Sequence, residues 1–237
     1  MADIPDFLPS LNGLRFVNAW PKEANIVVKV PGIGKVAVGS ANKGLCGGMV
    51  FTVLDVFMAG LPPLANPLPL PGNPLFDYIV KRLFDSWNLP WGAVKYYRWM
   101  ALPDEDIGAW PATLRGVGWR SVIDEWPAIR SDLDAGRPSP LGLVTVRSPN
   151  PAQLGRNHQV LAYGYDLVGD RLTIKVYDPN TDLDAADDVG ISLGVDHPAD
   201  GVTIAHNVGI AEPIRGFFRV RYSSQVPVSA VIASIRA

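Results

Sequence analysis

The sequence predicts an α+β fold in which a helical first half packs on an antiparallel sheet built from the second half. Two observations carry that expectation. Helix-patterned segments crowd the chain before residue 141, and strand-patterned segments follow it; this segregation separates α+β folds from alternating βαβ architecture. The 237 residues are 48% hydrophobic and show no internal repeat and no flexible linker, so one domain over 1–237 can bury a sizeable core.

In chain order, LRFVNAW (14–20), NIVVKV (25–30) and KVAV (35–38) read as short strands, the last two joined by the turn PGIG. A helix follows over about 46–59, because Met49, Val50, Val53, Leu54 and Phe57 recur at helical spacing. The next stretch has prolines at 62, 63, 67, 69, 71 and 74. Lacking backbone donors, it cannot be helical, and its leucines predict an extended loop packed on the body rather than a proline-rich recognition ligand.

LFDYIVKRLFDSW (75–87) is an amphipathic helix, while the tryptophan-rich stretch up to Trp119 has no clear period. SVIDEWPAIRSDLDAGRP (121–138) reads as two abutting helical pieces, with Pro127 in a first turn and Gly136 as the stop. Strands are expected at 141–146, 158–166, 171–178, 190–195, 201–206 and 214–222.

Composition narrows the function classes. Lys plus Arg number 21 against 23 Asp plus Glu, so the chain has no basic footprint for nucleic acid and no polybasic membrane patch. No apolar run reaches the length of a membrane span. MADIPDFLPSLNG lacks the basic and apolar regions of a secretory signal, which predicts a cytoplasmic protein, with signal-independent export left open. One cysteine precludes an intramolecular disulfide.

That cysteine, Cys46, sits in NKGLCGGMV (42–50) at the start of the predicted helix. Two readings stand: a small buried hydrophobe, or a thiol whose ionised form is favoured by the helix dipole and unpaired N–H groups. Gly47 and Gly48 would then let a substrate approach the first turn. Of the three histidines, His158 opens a strand whose expected partner ends at Asp178. A three-residue loop of Leu167, Val168 and Gly169, with Gly169 left-handed, places His158 directly opposite Asp178. Such opposed residues share a face, with Cβ atoms about 4.5–5.5 Å apart. A thiol, a histidine base and an orienting carboxylate form a generalised nucleophilic triad; the blander account is a cross-strand hydrogen bond alone.

Four stretches add a resemblance: GLCGGM (44–49), LDAGRPSPLGLVTV (133–146), NHQVLAYGYD (157–166) and VYDPN (176–180). Together they resemble the papain-like cysteine peptidases, and more closely the bacterial double-glycine leader (bacteriocin-processing) peptidases. The matched core is about 44–180. The resemblance implies a papain-like fold and a peptide or protein substrate, with Cys46 as nucleophile, His158 as base and Asp178 as orienting residue. No cofactor is implied. The family's oxyanion-hole glutamine lies six residues before the cysteine, where this chain has Ser40. Asn42 is the nearest amide side chain and would donate together with the Cys46 N–H. A non-catalytic papain-fold module, and a secreted effector or acyltransferase using the same triad, remain alternatives.

Metal and nucleotide motifs fit poorly. Asp178, Asn180 and Asp182 occupy the first, third and fifth places of a calcium loop, but Leu183 and Val189 stand where glycine and glutamate are needed. One cysteine and scattered histidines give no zinc spacing. GIGKVAVG lacks the Gly-Lys-Ser/Thr end of a phosphate loop. The tryptophans at 87, 91, 99, 110, 119 and 126 are expected to pack helices rather than line a groove.

Overall fold

Residues 1–20, 25–30, 34–40, 44–65, 67–88, 91–109 and 111–226 are described by a computed structural model. In chain order these hold β1 (Ala2–Asp3), α1 (Pro9–Asn12), β2 (Asn25–Val30), β3 (Gly34–Ser40), α2 (Cys46–Met58), α3 (Pro74–Ser86) and α4 (Trp91–Ala101). A helical run follows, composed of α5 (Val117–Trp119), a π-helical turn (Arg120–Glu125) and α6 (Trp126–Asp134). The remaining strands are β4 (Ser139–Val144), β5 (His158–Val168), β6 (Arg171–Tyr177), β7 (Gly190–Gly194), β8 (Ala205–His206) and β9 (Gly216–Arg219). Helices α2–α6 precede strands β4–β9, and every pairing of the main sheet is antiparallel, as the α+β expectation requires.

The sheet runs β8-β7-β6-β5-β4-β9, with β1 added to the far end of β5. β5 is the central element: its first half pairs with β4, and Gly164 and Tyr165 pair with β1. Its first eight residues are buried, so it reads as a nearly continuous apolar run, the mark of a strand covered on both faces. β2 and β3 pair as the predicted hairpin; the turn residues 31–33 lie outside the described residues.

α2 is buried from Cys46 to Val56. It stops at a Schellman motif: Gly60 takes φ +63°, and the N–H groups of Gly60 and Leu61 donate to the carbonyls of Phe57 and Val56. α3 begins where the Asn73 side chain accepts from the Leu75 N–H and Pro74 needs no acceptor. α2 and α3 touch closely, since a Cβ on Gly48 would run into the Ile79 carbonyl. The same contact buries an ion pair. Asp55 and Arg82 are each 1% exposed, and Arg82 Nη2 donates to Asp55 Oδ1 at 3.0 Å. Tyr78, Tyr222 and the Gln225 N–H also donate to Asp55, fastening the chain after β9 onto the two helices.

Several expectations change. LRFVNAW forms no strand: the Asn18 N–H donates to the Pro179 carbonyl, and the Trp20 indole donates to the Pro69 carbonyl at 2.7 Å. Its donors go to loops instead of a sheet. That bond, together with buried Leu64, shows the proline loop packed on the body as expected. The strands foreseen at 201–206 and 214–222 shrink to Ala205–His206 and Gly216–Arg219. The two helical pieces at 121–138 join α5 into one run, and the Trp126 N–H bonds the Ser121 carbonyl five residues back, immediately before Pro127. The wide turn has a use: Ser121 Oγ accepts the Phe217 N–H and Glu125 accepts the Arg219 N–H, capping the exposed edge of β9. Trp87, Trp99 and Trp126 are buried in the core; Trp110 lies outside the described residues.

Candidate active site

Cys46 is the first residue of α2 and is 5% exposed. Leu45 provides no side-chain cap, so the N–H groups of the first turn have no intrahelical acceptor and point out of the helix end. The glycines after it do not leave room for a substrate, contrary to expectation. A Cβ on Gly47 would meet the Ser86 hydroxyl and stand 2.8 Å from the Gln159 amide, and Gly48 faces the α3 backbone. Both glycines let protein, rather than ligand, approach the helix.

The β5–β6 hairpin differs in detail from the expected register. Val168 pairs with Arg171, so the turn is the two-residue Gly169–Asp170, with Gly169 at φ +61°. A bulge between Ala162 and Gly164 then takes up one residue, and the ladder ends with Leu161 opposite Tyr177. His158 is therefore not directly opposite Asp178. By continuation of the ladder Asp178 falls beside Val160, and His158, two residues further, shares that face. Without the bulge Asp178 would fall on the other face. The two side chains meet diagonally, with His158 Nε2 2.6 Å from Asp178 Oδ1.

Asp178 is fully buried, yet all its acceptor capacity is used. Oδ1 receives His158 Nε2 and the Asn180 N–H at 3.0 Å, and Oδ2 receives Thr181 Oγ1 at 2.9 Å and the Gly209 N–H at 2.7 Å. Burial pushes its pKa up, but the His158 charge and these hydrogen bonds outweigh burial and hold it below the usual carboxylate range. No lone pair is left for calcium, which removes the calcium-loop reading. Among the described residues no group of three His, Cys, Asp or Glu side chains is arranged to hold a metal ion.

An ionised carboxylate only accepts, so Nε2 carries the proton and Nδ1 is left for the thiol. The Cys46 side chain lies close enough to the ring to act on its charge. Burial of the imidazole favours its neutral form, but Cys46 and Asp178 together outweigh burial and raise its pKa to about 10. Cys46, His158 and Asp178, 132 residues from first to last in the sequence, thus form one buried cluster. Comparison with family models, with curated proteins and with solved structures returned no match.

Asn42 lies outside the described residues, and Ser40 ends β3. His206 lies in β8, and His197 is exposed beside Asp196 at 3.5 Å; neither joins the cluster. Sequence reasoning missed the partners that complete it. DPNT (178–181) is a polar turn whose side chains bond its own backbone, a legible signal for Asn180 and Thr181. Gln159, an amide within an otherwise apolar buried strand, was legible too. Tyr96, whose hydroxyl donates to the His158 carbonyl at 3.0 Å, carried no signal because its helix was unassigned.

Proposed function

We propose that the chain is a papain-like cysteine hydrolase acting on peptide or amide bonds. The observation that carries the reading is a thiol on a helix N-terminus beside an imidazole whose other nitrogen is held by a fully satisfied carboxylate. His158 Nδ1 takes the thiol proton. Sulfur then attacks the carbonyl carbon while first-turn N–H groups face the developing oxyanion. The imidazolium returns its proton to the leaving amine, the C–N bond breaks, and an acyl thioester remains on Cys46. Water, deprotonated by His158, releases the acid; an amine in place of water would give acyl transfer. A second reading, a papain-fold module without turnover, draws on the near-complete burial of Cys46 and His158.

Alkylation of Cys46 by iodoacetamide across pH 5 to 9 separates the readings, comparing wild type with His158→Ala. An activated thiol reacts well below about pH 8 and loses that advantage without the histidine. A wild-type thiol that stays inert until denaturation would sink the hydrolase.

A further inference from the structure

Two consecutive residues of the nucleophile helix meet two consecutive residues of the histidine strand. Cys46 faces His158, and Gly47 faces Gln159. His158 and Gln159 point to opposite sides of β5, so the strand start is gripped on both sides by the first turn of α2 and its neighbours. Gln159 is 3% exposed. Its Nε2 donates to Ser86 Oγ at 3.4 Å, at the end of α3, and its ladder partner Gly142 lies against the Tyr96 hydroxyl. Tyr96 in turn donates to the His158 carbonyl at 3.0 Å and lies in the field of the Cys46 sulfur.

This arrangement carries a cost. Gln159 Oε1 is buried with no hydrogen-bond partner among the described residues, and such an orphan costs about 1–3 kcal/mol. The Ser86 and Tyr96 hydroxyls spend their own protons on the Leu83 and His158 carbonyls, so each offers the Gln159 amide only an acceptor. Turning the amide over would leave its N–H groups orphaned instead. For stability alone an apolar side chain of the same length would serve better. Unexplained buried polar groups of this kind concentrate at working sites.

We propose that Gln159, acting with Tyr96, is a positioning residue that clamps the first turn of α2 to the start of β5 and so sets the contact between Cys46 and His158. The inference rests on the reading of Cys46 as an activated nucleophile. The contacts are close at both ends. A Cβ on Gly47 would stand 2.8 Å from the Gln159 amide and displace it, and the Tyr96 hydroxyl ends on the backbone of the base itself. Small errors in such contacts are costly, because a displacement of about 1 Å can cost on the order of a hundredfold in rate.

The test compares iodoacetamide alkylation of Cys46 from pH 5 to 9, with thermal melting, in wild type, Gln159→Met, Tyr96→Phe and Val53→Ala. Gln159→Met keeps length and removes the orphan, so its melting temperature should equal or exceed wild type. Its alkylation at pH 6 should nonetheless fall about tenfold, the effect of moving the profile by one pH unit. Tyr96→Phe should shift the profile in the same direction. Val53→Ala, a cavity elsewhere in α2, should lower the melting temperature and leave the profile unmoved. Wild-type profiles in both Gln159→Met and Tyr96→Phe overturn the proposal while leaving the hydrolase intact; an ordinary thiol profile in wild type overturns both. If Gln159→Met fails to fold, Tyr96→Phe alone decides, by the same criterion.

Discussion

His158 and Asp178 share a face of the β5–β6 pair because a bulge between Ala162 and Gly164 takes up one residue of register. The Asp178 carboxylate then accepts from four donors drawn from β5, its own turn and the loop at Gly209. It holds the Nε2 proton and so decides which nitrogen of His158 faces Cys46.

Asp178→Asn should be costly in two ways. An amide nitrogen in place of Oδ2 would confront the Gly209 N–H, at a cost of about 1–3 kcal/mol for unpaired buried groups. With the orienting charge lost, alkylation of Cys46 at pH 6 should slow by about tenfold or more. Urea unfolding and alkylation rates check both; a variant matching wild type in each would deny Asp178 its orienting role.

The raised pKa of His158 has a definite sign in stability. Its folded value is about 10 against an ordinary value of about 6.5. Its contribution is therefore complete below about pH 6.5 and fades as the pH rises through about 10. The gap in unfolding free energy between wild type and His158→Ala should accordingly be largest near pH 6 and narrow toward pH 10. Asp178 acts at the other end: its contribution is present above the ordinary carboxylate range and is lost as the pH falls through its lowered value.

Cys46→Ser tests the source of that shift. Cys46 is the largest influence raising the His158 pKa, so the imidazole titration followed by NMR should move down from about 10. A midpoint that does not move would mean that Asp178 alone sets it.

Gly47→Ala and Gly48→Ala should rank by what they meet. A methyl at 47 meets the Ser86 and Gln159 side chains, which can give way, whereas one at 48 meets the Ile79 carbonyl, which cannot. Overpacking of this kind costs about 1–3 kcal/mol, with Gly48→Ala expected at or above the top of that range. Equal melting temperatures for the two would contradict the packing described.

Arg82→Met leaves Asp55 buried without its cation and should destabilise by about 3–5 kcal/mol. Pairing it with Asp55→Leu should recover only part of that loss: the buried unpaired charge is gone, but Tyr78, Tyr222 and the Gln225 N–H lose their acceptor. Chemical denaturation of the single and double variants measures the coupling.

The sequence by itself determined the α+β class, the helix that Cys46 opens, the hairpin partnership of β5 with β6 and the candidacy of Cys46, His158 and Asp178. These are readings of local periodicity, turn chemistry and chemically distinctive side chains. It did not determine the bulge, because one added residue leaves no mark in a strand that is apolar on both faces. The opened strand at 14–20 and the short β8 and β9 escaped for a related reason: β-patterned residues become strands only where a partner edge is free. Tertiary structure alone decided the clamp around the site. Gly47 owes its missing side chain to Gln159 and Ser86, and Tyr96 reaches His158 across 62 residues; such contacts are set by how helices stack on the sheet.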